Sequence, residues 1–256
     1  MTAPGRDHFS HGAAAYAAFR PRYPAALFAW LAAHAPAWGR TGHPAHRAWD
    51  CATGSGQAAI GLAEQFGLVV ASDASAAQLA QALPHPRVRY LACSAERSAL
   101  AGESVALVTV AQALHWLELD AFYAEARRVL VPGGLLAAWC YGLLRMEGEI
   151  GAVVRQFATA TVGPFWPPER ALVDAGYAGL PFPFAEIDAP ALELEQAWSL
   201  NELVGYLGTW SAVRGYRQAR GDDPLVPLAG ELRPLWGEAE GRRQVRWPVR
   251  VRAGYA

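Results

Sequence analysis

The chain has 256 residues, 53% of them hydrophobic and 18% charged, and a formal net charge of −1. This length suits one α/β domain with an appendage and is enough to bury a sizeable core. A near-neutral balance excludes a global field that would draw the chain to nucleic acid or an anionic membrane, and its 22 basic residues, all arginine amid abundant alanine, read as compositional bias and not as a basic binding code.

In chain order, the start from Met1 to His8 is polar, so no signal peptide is expected. The apolar segment from Tyr23 to Trp38 is interrupted by Pro24, His34 and Pro36, which argues against a membrane span and for a soluble, cytoplasmic protein. Ala25 to Ala33 reads as a helix opened by Pro24. A Gly/Pro/His loop then leads to a first strand ending in Asp50, a turn containing Gly54 and Gly56, and a helix from Gln57 to Phe66. Leu68 to Ser72 is a second apolar strand, tipped by Asp73; Ser75 is placed to cap a helix from Ala76 to Leu83, which Pro84-His85-Pro86 breaks. A third strand, Val88 to Cys93, ends at Ser94-Ala95-Glu96. Val105 to Ala111 is a continuous apolar run, as expected of a central strand covered on both faces. Leu119 to Leu130 has helical spacing and stops at Pro132-Gly133-Gly134, before a fifth strand from Leu135 to Trp139.

This alternation of strand and helix predicts a doubly wound, mostly parallel α/β sheet. The second half is less regular. It offers a helix from Ile150 to Thr161, a rigid aromatic turn from Pro164 to Glu169, strand signal within Ala185 to Leu194, helix from Leu200 to Arg220, and a last strand from Val245 to Val251. Pro248 in that strand favours an edge position or a bulge. Cys51, Cys93 and Cys140 each fall in a predicted strand and read as buried small apolar residues of a reducing compartment. The histidines lack ligand spacing with cysteine or acid partners, so no metal is expected.

The strand–glycine turn–helix around Gly54 and Gly56 lets a ligand approach the backbone closely, and an acid at the tip of the second strand, Asp73, is placed to accept from ribose hydroxyls. Two readings of this nucleoside-type unit compete. Gly54-x-Gly56-x-x-Ala59 fits the relaxed dinucleotide fingerprint. Asp50-x-Ala52-x-Gly54-x-Gly56 fits the acid-x-Gly-x-Gly-x-Gly motif of class I S-adenosylmethionine-dependent methyltransferases, with alanine at the first glycine. A second mononucleotide half and a hydride-transfer site do not stand out. Ser94-Ala95-Glu96, the run Ala111-Gln112-Ala113-Leu114-His115-Trp116 and the segment Arg128 to Leu136 follow in the order of a class I methyltransferase, and the chain resembles that family. Tyr16 to Pro24, Ala113 to Trp116, Gly163 to Trp166 and Tyr206 to Ser211 narrow the likeness: over nearly the whole chain it resembles trans-aconitate methyltransferase-like proteins of the methyltransferase type 11 group.

The resemblance implies a seven-stranded sheet with a reversed last strand and a helical cap. It implies one domain, residues 1–256, with an N-terminal lid and helix (1–45), a cofactor-binding core (46–142) and a substrate cap with terminal strands (143–256). The cofactor would be S-adenosyl-L-methionine. Gly54 and Gly56 would lie against its methionine part, with Asp50 and Ala52 in the same turn, Asp50 orienting the amino end. Asp73 would hold the ribose, and Ser94, Ala95 and Glu96 would edge the adenine, Glu96 reading equally as a surface carboxylate. Gln112 would lie beside the cofactor. His115 and Trp116 sit where the methyl group would emerge; His115 stands evenly between substrate contact and structural residue, with a catalytic role only tentative. Tyr16, Arg20 and Tyr23 belong to the lid, with Arg20 suited to a carboxylate; Trp166 would line the cap. The expected partner is a small-molecule acceptor, with no nucleic acid or membrane, in a monomer or homodimer. A cofactor-binding sensor without turnover and a nicotinamide-dependent oxidoreductase are the alternatives.

Overall fold

The computed structural model describes residues 21–36, 47–238 and 240–256. Strand and helix alternate as the sequence predicts. Helix α1 (Ala25–His34) precedes strand β1 (Arg47–Cys51), α2 (Gln57–Ala63), β2 (Leu68–Asp73), the single turn α3 (Ala76–Leu79) and β3 (Val88–Ala92). Next come β4 (Val105–Ala111), α4 (Leu119–Val129) and β5 (Leu130–Tyr141). Pro24 is the N-cap of α1, and the Ser75 hydroxyl accepts from the Gln78 amide to cap α3. Helix α3 is shorter than the sequence suggests, and turns carry the chain from Ala80 toward Pro84.

Strands β3, β2, β1, β4 and β5 pair in parallel in that order. β4 lies between β1 and β5 and is buried from Val105 to Val110, which is why its run is apolar without alternation. One face is covered by Leu27, Phe28 and Leu31 of α1 and by Ala58, Ala59 and Leu62 of α2. Gly61 admits that contact, because a Cβ there would lie 2.1 Å from the Phe28 ring. The other face is covered by Phe122, Tyr123, Ala126 and Val129, the helical stripe of α4. β5 begins earlier than the sequence suggests: Leu130 pairs with Val105, and a register shift around Pro132-Gly133-Gly134 precedes the pairing of Leu135 with Leu107.

Beyond β5 the chain forms α5 (Gly148–Gln156), a π-helical turn (Phe157–Thr161), a 3₁₀ turn (Gly163–Phe165) and α6 (Arg170–Asp174). Two short strands follow, β6 (Ala185–Ile187) and β7 (Leu192–Trp198), then α7 (Leu200–Gly208), α8 (Ser211–Arg220), α9 (Leu225–Trp236) and β8 (Arg243–Tyr255). β8 runs antiparallel to β5, the reversed strand that was expected. Its other side is shared by β6 and β7, so the seven-position order β3-β2-β1-β4-β5-β8-β6 carries an eighth strand, β7, beside β8. Pro248 falls where pairing with β5 has stopped at Val249, facing only Glu193 of β7. The predicted Leu200–Arg220 helix is two helices, split at Thr209-Trp210. α6 and α9 were not expected.

Candidate functional site

The carboxyl ends of β1, β2, β4 and β5 share one rim, the position at which open parallel sheets bind ligands. At the end of β1 the turn Ala52–Gly56 is held in left-handed backbone at Ala52 (φ 54°), Gly54 (58°) and Gly56 (83°). Alanine reaches that region at a cost of about 1–2 kcal/mol, and Ala52 adopts it where the motif has glycine. Gly56 is required twice over. Its φ suits glycine, and a Cβ would lie 2.3 Å from the Tyr90 hydroxyl oxygen. Tyr90 is fixed there by donating to the Leu83 carbonyl at 2.9 Å.

Two carboxylates brace the turn from opposite sides. Asp50 is completely buried; its Oδ2 accepts from Thr53 Oγ1 at 2.5 Å and its Oδ1 from Thr109 Oγ1 at 2.8 Å. Burial pushes its pKa up to about 6 against the lowering effect of Thr53 and Thr109. Through these two hydroxyls Asp50 ties the turn at the end of β1 to the neighbouring strand β4. Asp73, half-buried at the tip of β2, accepts from the Gly54 amide at 2.8 Å through Oδ2 and from the Ser75 amide at 2.8 Å through Oδ1. It thereby ties the second strand to the glycine turn and stands at the open side of the rim.

Past β3, Ser94 and Glu96 are half-buried and Ala95 is buried. Glu96 Oε1 accepts from the Glu118 amide at 3.2 Å, at the N-terminal end of α4. Glu96 therefore joins two rim loops, whatever else it touches. Past β4, Gln112 has φ 59°, donates its amide to the Trp139 carbonyl at 2.8 Å and its Nε2 to the Tyr141 carbonyl at 3.2 Å, which bolts the β4 loop onto β5.

His115 and Trp116 follow on a 3₁₀ turn (Leu114–Trp116). His115 Nδ1 is 3.0 Å from the hydroxyl of Tyr177, itself buried at φ 64°. Burial drives the His115 pKa down to about 4, with Glu169 opposing and Arg170 adding to the effect. At neutral pH the ring is uncharged. Trp166 sits in the cap, its indole N–H donating to the Ala158 carbonyl at 3.0 Å. That carbonyl lies in the π-helical turn, whose 157→162 bond leaves it available. Trp210 packs against Trp166 at 5.2 Å and Phe157 at 6.3 Å as part of the core.

Tyr23 is half-buried, edge-on to Trp139 at 5.5 Å and tilted to Tyr141 at 6.3 Å, so the segment before α1 does reach the end of β5. Arg22 is exposed. Tyr16 and Arg20 lie outside the described residues. The structure thus brings Ala52, Gly54, Gly56, Asp73, Gln112, His115 and Tyr23 to one end of the sheet. Three residues there were not singled out in the sequence: Tyr90, Tyr177 and Arg170. Tyr90 stands three residues before Cys93 in β3, and only the paired register of β2 and β3 brings it to Gly56. Among the described residues no helix is long and apolar enough to cross a membrane, and no three His, Cys, Asp or Glu side chains gather as a metal site.

A family model described as a methyltransferase domain matches residues 49–138, the span from β1 into β5. A protein of Dictyostelium discoideum named as a methyltransferase is 31% identical over 249 residues, covering 95% of this chain and 92% of its own length. A solved structure from Anaeromyxobacter dehalogenans, described as a type II methyltransferase, is 49% identical, covers 93% of this chain and 98% of its own, and superposes with a TM-score of 0.86. An uncharacterized methyltransferase of Mycobacterium tuberculosis is 34% identical over 160 residues, 59% of this chain and 62% of its own.

Proposed function

The chain belongs to the class I S-adenosylmethionine-dependent methyltransferases, and from that premise we propose that it methylates a small carboxylic acid, after the manner of the trans-aconitate methyltransferase-like proteins it resembles. The cofactor is S-adenosyl-L-methionine, and bound there it supplies an activated methyl group. In this reading the turn from Ala52 to Gly56 receives the methionine part, kept open at Gly56 by the absence of a side chain, and Asp73 holds the ribose through the carboxylate that now accepts from Gly54 and Ser75. Asp50, bonded to Thr53 and Thr109, helps orient the amino end of the cofactor from the base of the turn. Ser94, Ala95 and Gln112 border the site, and Glu96 serves it by joining the loops around it. Residues 1–45 act as lid and first helix, 46–142 as cofactor core and 143–256 as cap within one domain.

The observation that carries the acceptor class is His115. A side chain that takes a proton from a hydroxyl or amine works best with a pKa near the operating pH. His115, held near 4 by burial and engaged with the Tyr177 hydroxyl, is poorly matched to that task, which favours an acceptor that needs no base. A carboxylic acid is already ionised at neutral pH and needs no base, so alignment and exclusion of water suffice. His115 then acts as a neutral polar contact near the acceptor. The likeness to trans-aconitate methyltransferase-like proteins supports the same class.

The test is turnover with S-adenosylmethionine across carboxylic acids, alcohols and amines matched in size. Methylation confined to the acids supports the reading; methylation confined to alcohols or amines contradicts it.

A further inference from the structure

Close to His115 the rim holds a cation that no role above uses. Arg170 opens α6, and its guanidinium carbon lies 4.6 Å over the Trp166 ring. Its side chain is 17% exposed, whereas that of its ion-pair partner, Asp174, is 51% exposed. Nε donates to Asp174 Oδ1 at 2.9 Å. Nη2 is 2.8 Å from the same oxygen but poorly aligned to it, and this buried nitrogen completes no hydrogen bond. One carboxylate oxygen thus serves two guanidinium nitrogens, and the fork that suits a bidentate anion is only partly filled.

The location fits an acceptor site. Nη2 is 3.7 Å from where a Cβ of Gly142 would stand, one residue beyond β5. The charge of Arg170 is felt by the His115 ring on the adjoining β4 loop. The whole stack is pre-set by the π-helical turn: Ala158 fixes the Trp166 indole and Trp166 supports the guanidinium plane. Such a platform orders the arginine before a ligand arrives, which reduces the entropy lost on binding.

We propose that Arg170 is the residue that holds the acceptor's carboxylate group, with Asp174 as a half-exposed counter-ion that the acceptor displaces or shares. This rests on the carboxylate reading of the preceding subsection. The acceptor is held through one carboxylate, and the oxygen that receives the methyl group belongs to the same group or to a second one. Arg170 is thus a specificity-determining residue for anions.

The charge pair gives a test with opposite signs. Steady-state kinetics with S-adenosylmethionine and a panel of succinate, citrate, trans-aconitate and benzoate are measured for the full chain and for Arg170→Gln, Arg170→Lys and Asp174→Asn. S-Adenosylhomocysteine affinity is measured for each by calorimetry. Arg170→Gln should raise KM for the acid turned over by about tenfold or more, because a charge-assisted pair is lost. Arg170→Lys should recover only part, since a point charge replaces a fork. Asp174→Asn should lower KM a few-fold, because it frees the guanidinium. Cofactor affinity should hold within about twofold throughout. An ion pair that merely pins α6 would raise KM, or weaken cofactor binding, in both Arg170→Gln and Asp174→Asn; that pattern, or an unchanged KM in Arg170→Gln, overturns the proposal while leaving the carboxylate reading standing. If Arg170→Gln does not fold, an unchanged or raised KM in Asp174→Asn overturns it. Wild-type turnover of alcohols or amines and of no acid removes the carboxylate reading, and this proposal with it.

Discussion

The Asp73 carboxylate accepts from the Gly54 amide at 2.8 Å, so the tip of the second strand and the glycine turn of the first form one rigid unit. The two residues are 19 apart in the chain and meet because β1 and β2 pair in register, Cys51 beside Ser72. The acid placed to hold a ribose is therefore also the brace that presents the turn.

Asp73→Ala removes both roles entirely, and Asp73→Asn weakens both. Asparagine offers one carbonyl oxygen where the carboxylate offers two, so it can accept from the Gly54 or the Ser75 amide in place but not from both, and it loses the charge. Hydrogen bonds to charged groups contribute about 1.5–3 kcal/mol. S-Adenosylhomocysteine should bind about tenfold or more weakly to Asp73→Asn and weaker still to Asp73→Ala, by calorimetry. Equal, wild-type affinity in both folded variants would show that the ribose is held elsewhere.

Gly56→Ala should lose cofactor binding and stability together. The added methyl meets the Tyr90 hydroxyl oxygen at 2.3 Å, on a backbone already at φ 83°. The left-handed backbone alone costs about 1–2 kcal/mol for an L side chain. Adding Tyr90→Ala removes the collision and leaves the backbone cost, so the double variant should be more stable than the two single losses sum to. Strict additivity in urea denaturation would remove Tyr90 from the explanation.

Asp50 predicts a stability trend with a definite sign. Its pKa is 3.8 in the ordinary state and about 6 when folded, because burial disfavours the charge. Between those values the folded chain keeps a proton that the unfolded chain has released. Stability from this residue is therefore greatest below about pH 4 and declines as pH rises through about 6, by up to roughly 3 kcal/mol. Asp50→Asn does not titrate, so the stability difference between wild type and Asp50→Asn should shift toward the variant over that window. A difference that is constant from pH 4 to 7 would mean that Asp50 is not raised.

The succession of strands and helices in the core was readable because turn residues punctuate the apolar runs and the central β4 run is apolar throughout. The glycine turn was readable because left-handed backbone favours glycine at positions 54 and 56, and Asp73 because an acid at a strand tip is chemically marked. What was hidden depends on distance in space. Helix α9 places Leu225, Leu228, Leu232 and Trp236 on one buried stripe, yet Pro224, Pro227, Gly230 and Pro234 punctuate the same stretch and mask its period. Prolines in its first turn are tolerated there, since those amides lack helical partners. The π-helical turn has no sequence signature. The neutrality of His115 comes first from burial and then from the charge of Arg170, far away in the chain, and the sequence does not reveal that Thr109 of another strand donates to Asp50. Arg170 was hidden among 22 arginines until Trp166 singled it out.

His115 should leave no mark on the pH profile near neutrality. With its pKa near 4, log kcat should be flat from about pH 5.5 to 8, and His115→Gln, which keeps a polar contact, should retain kcat within about tenfold. A limb rising with a pKa of 6 to 7 that disappears in His115→Gln would assign the ring a proton-transfer role.

The most direct measurement follows the methyl group itself. Full-length protein is incubated with S-adenosylmethionine labelled in its methyl group and with the small carboxylic acid that it turns over, and the product is treated with mild alkali. A carboxylate acceptor gives a methyl ester, which alkali hydrolyses with release of labelled methanol. Ethers and methylated amines survive that treatment. Labelled methanol released in proportion to S-adenosylhomocysteine formed is the predicted result; label that stays on an alkali-stable product would contradict base-free methylation of a carboxylic acid.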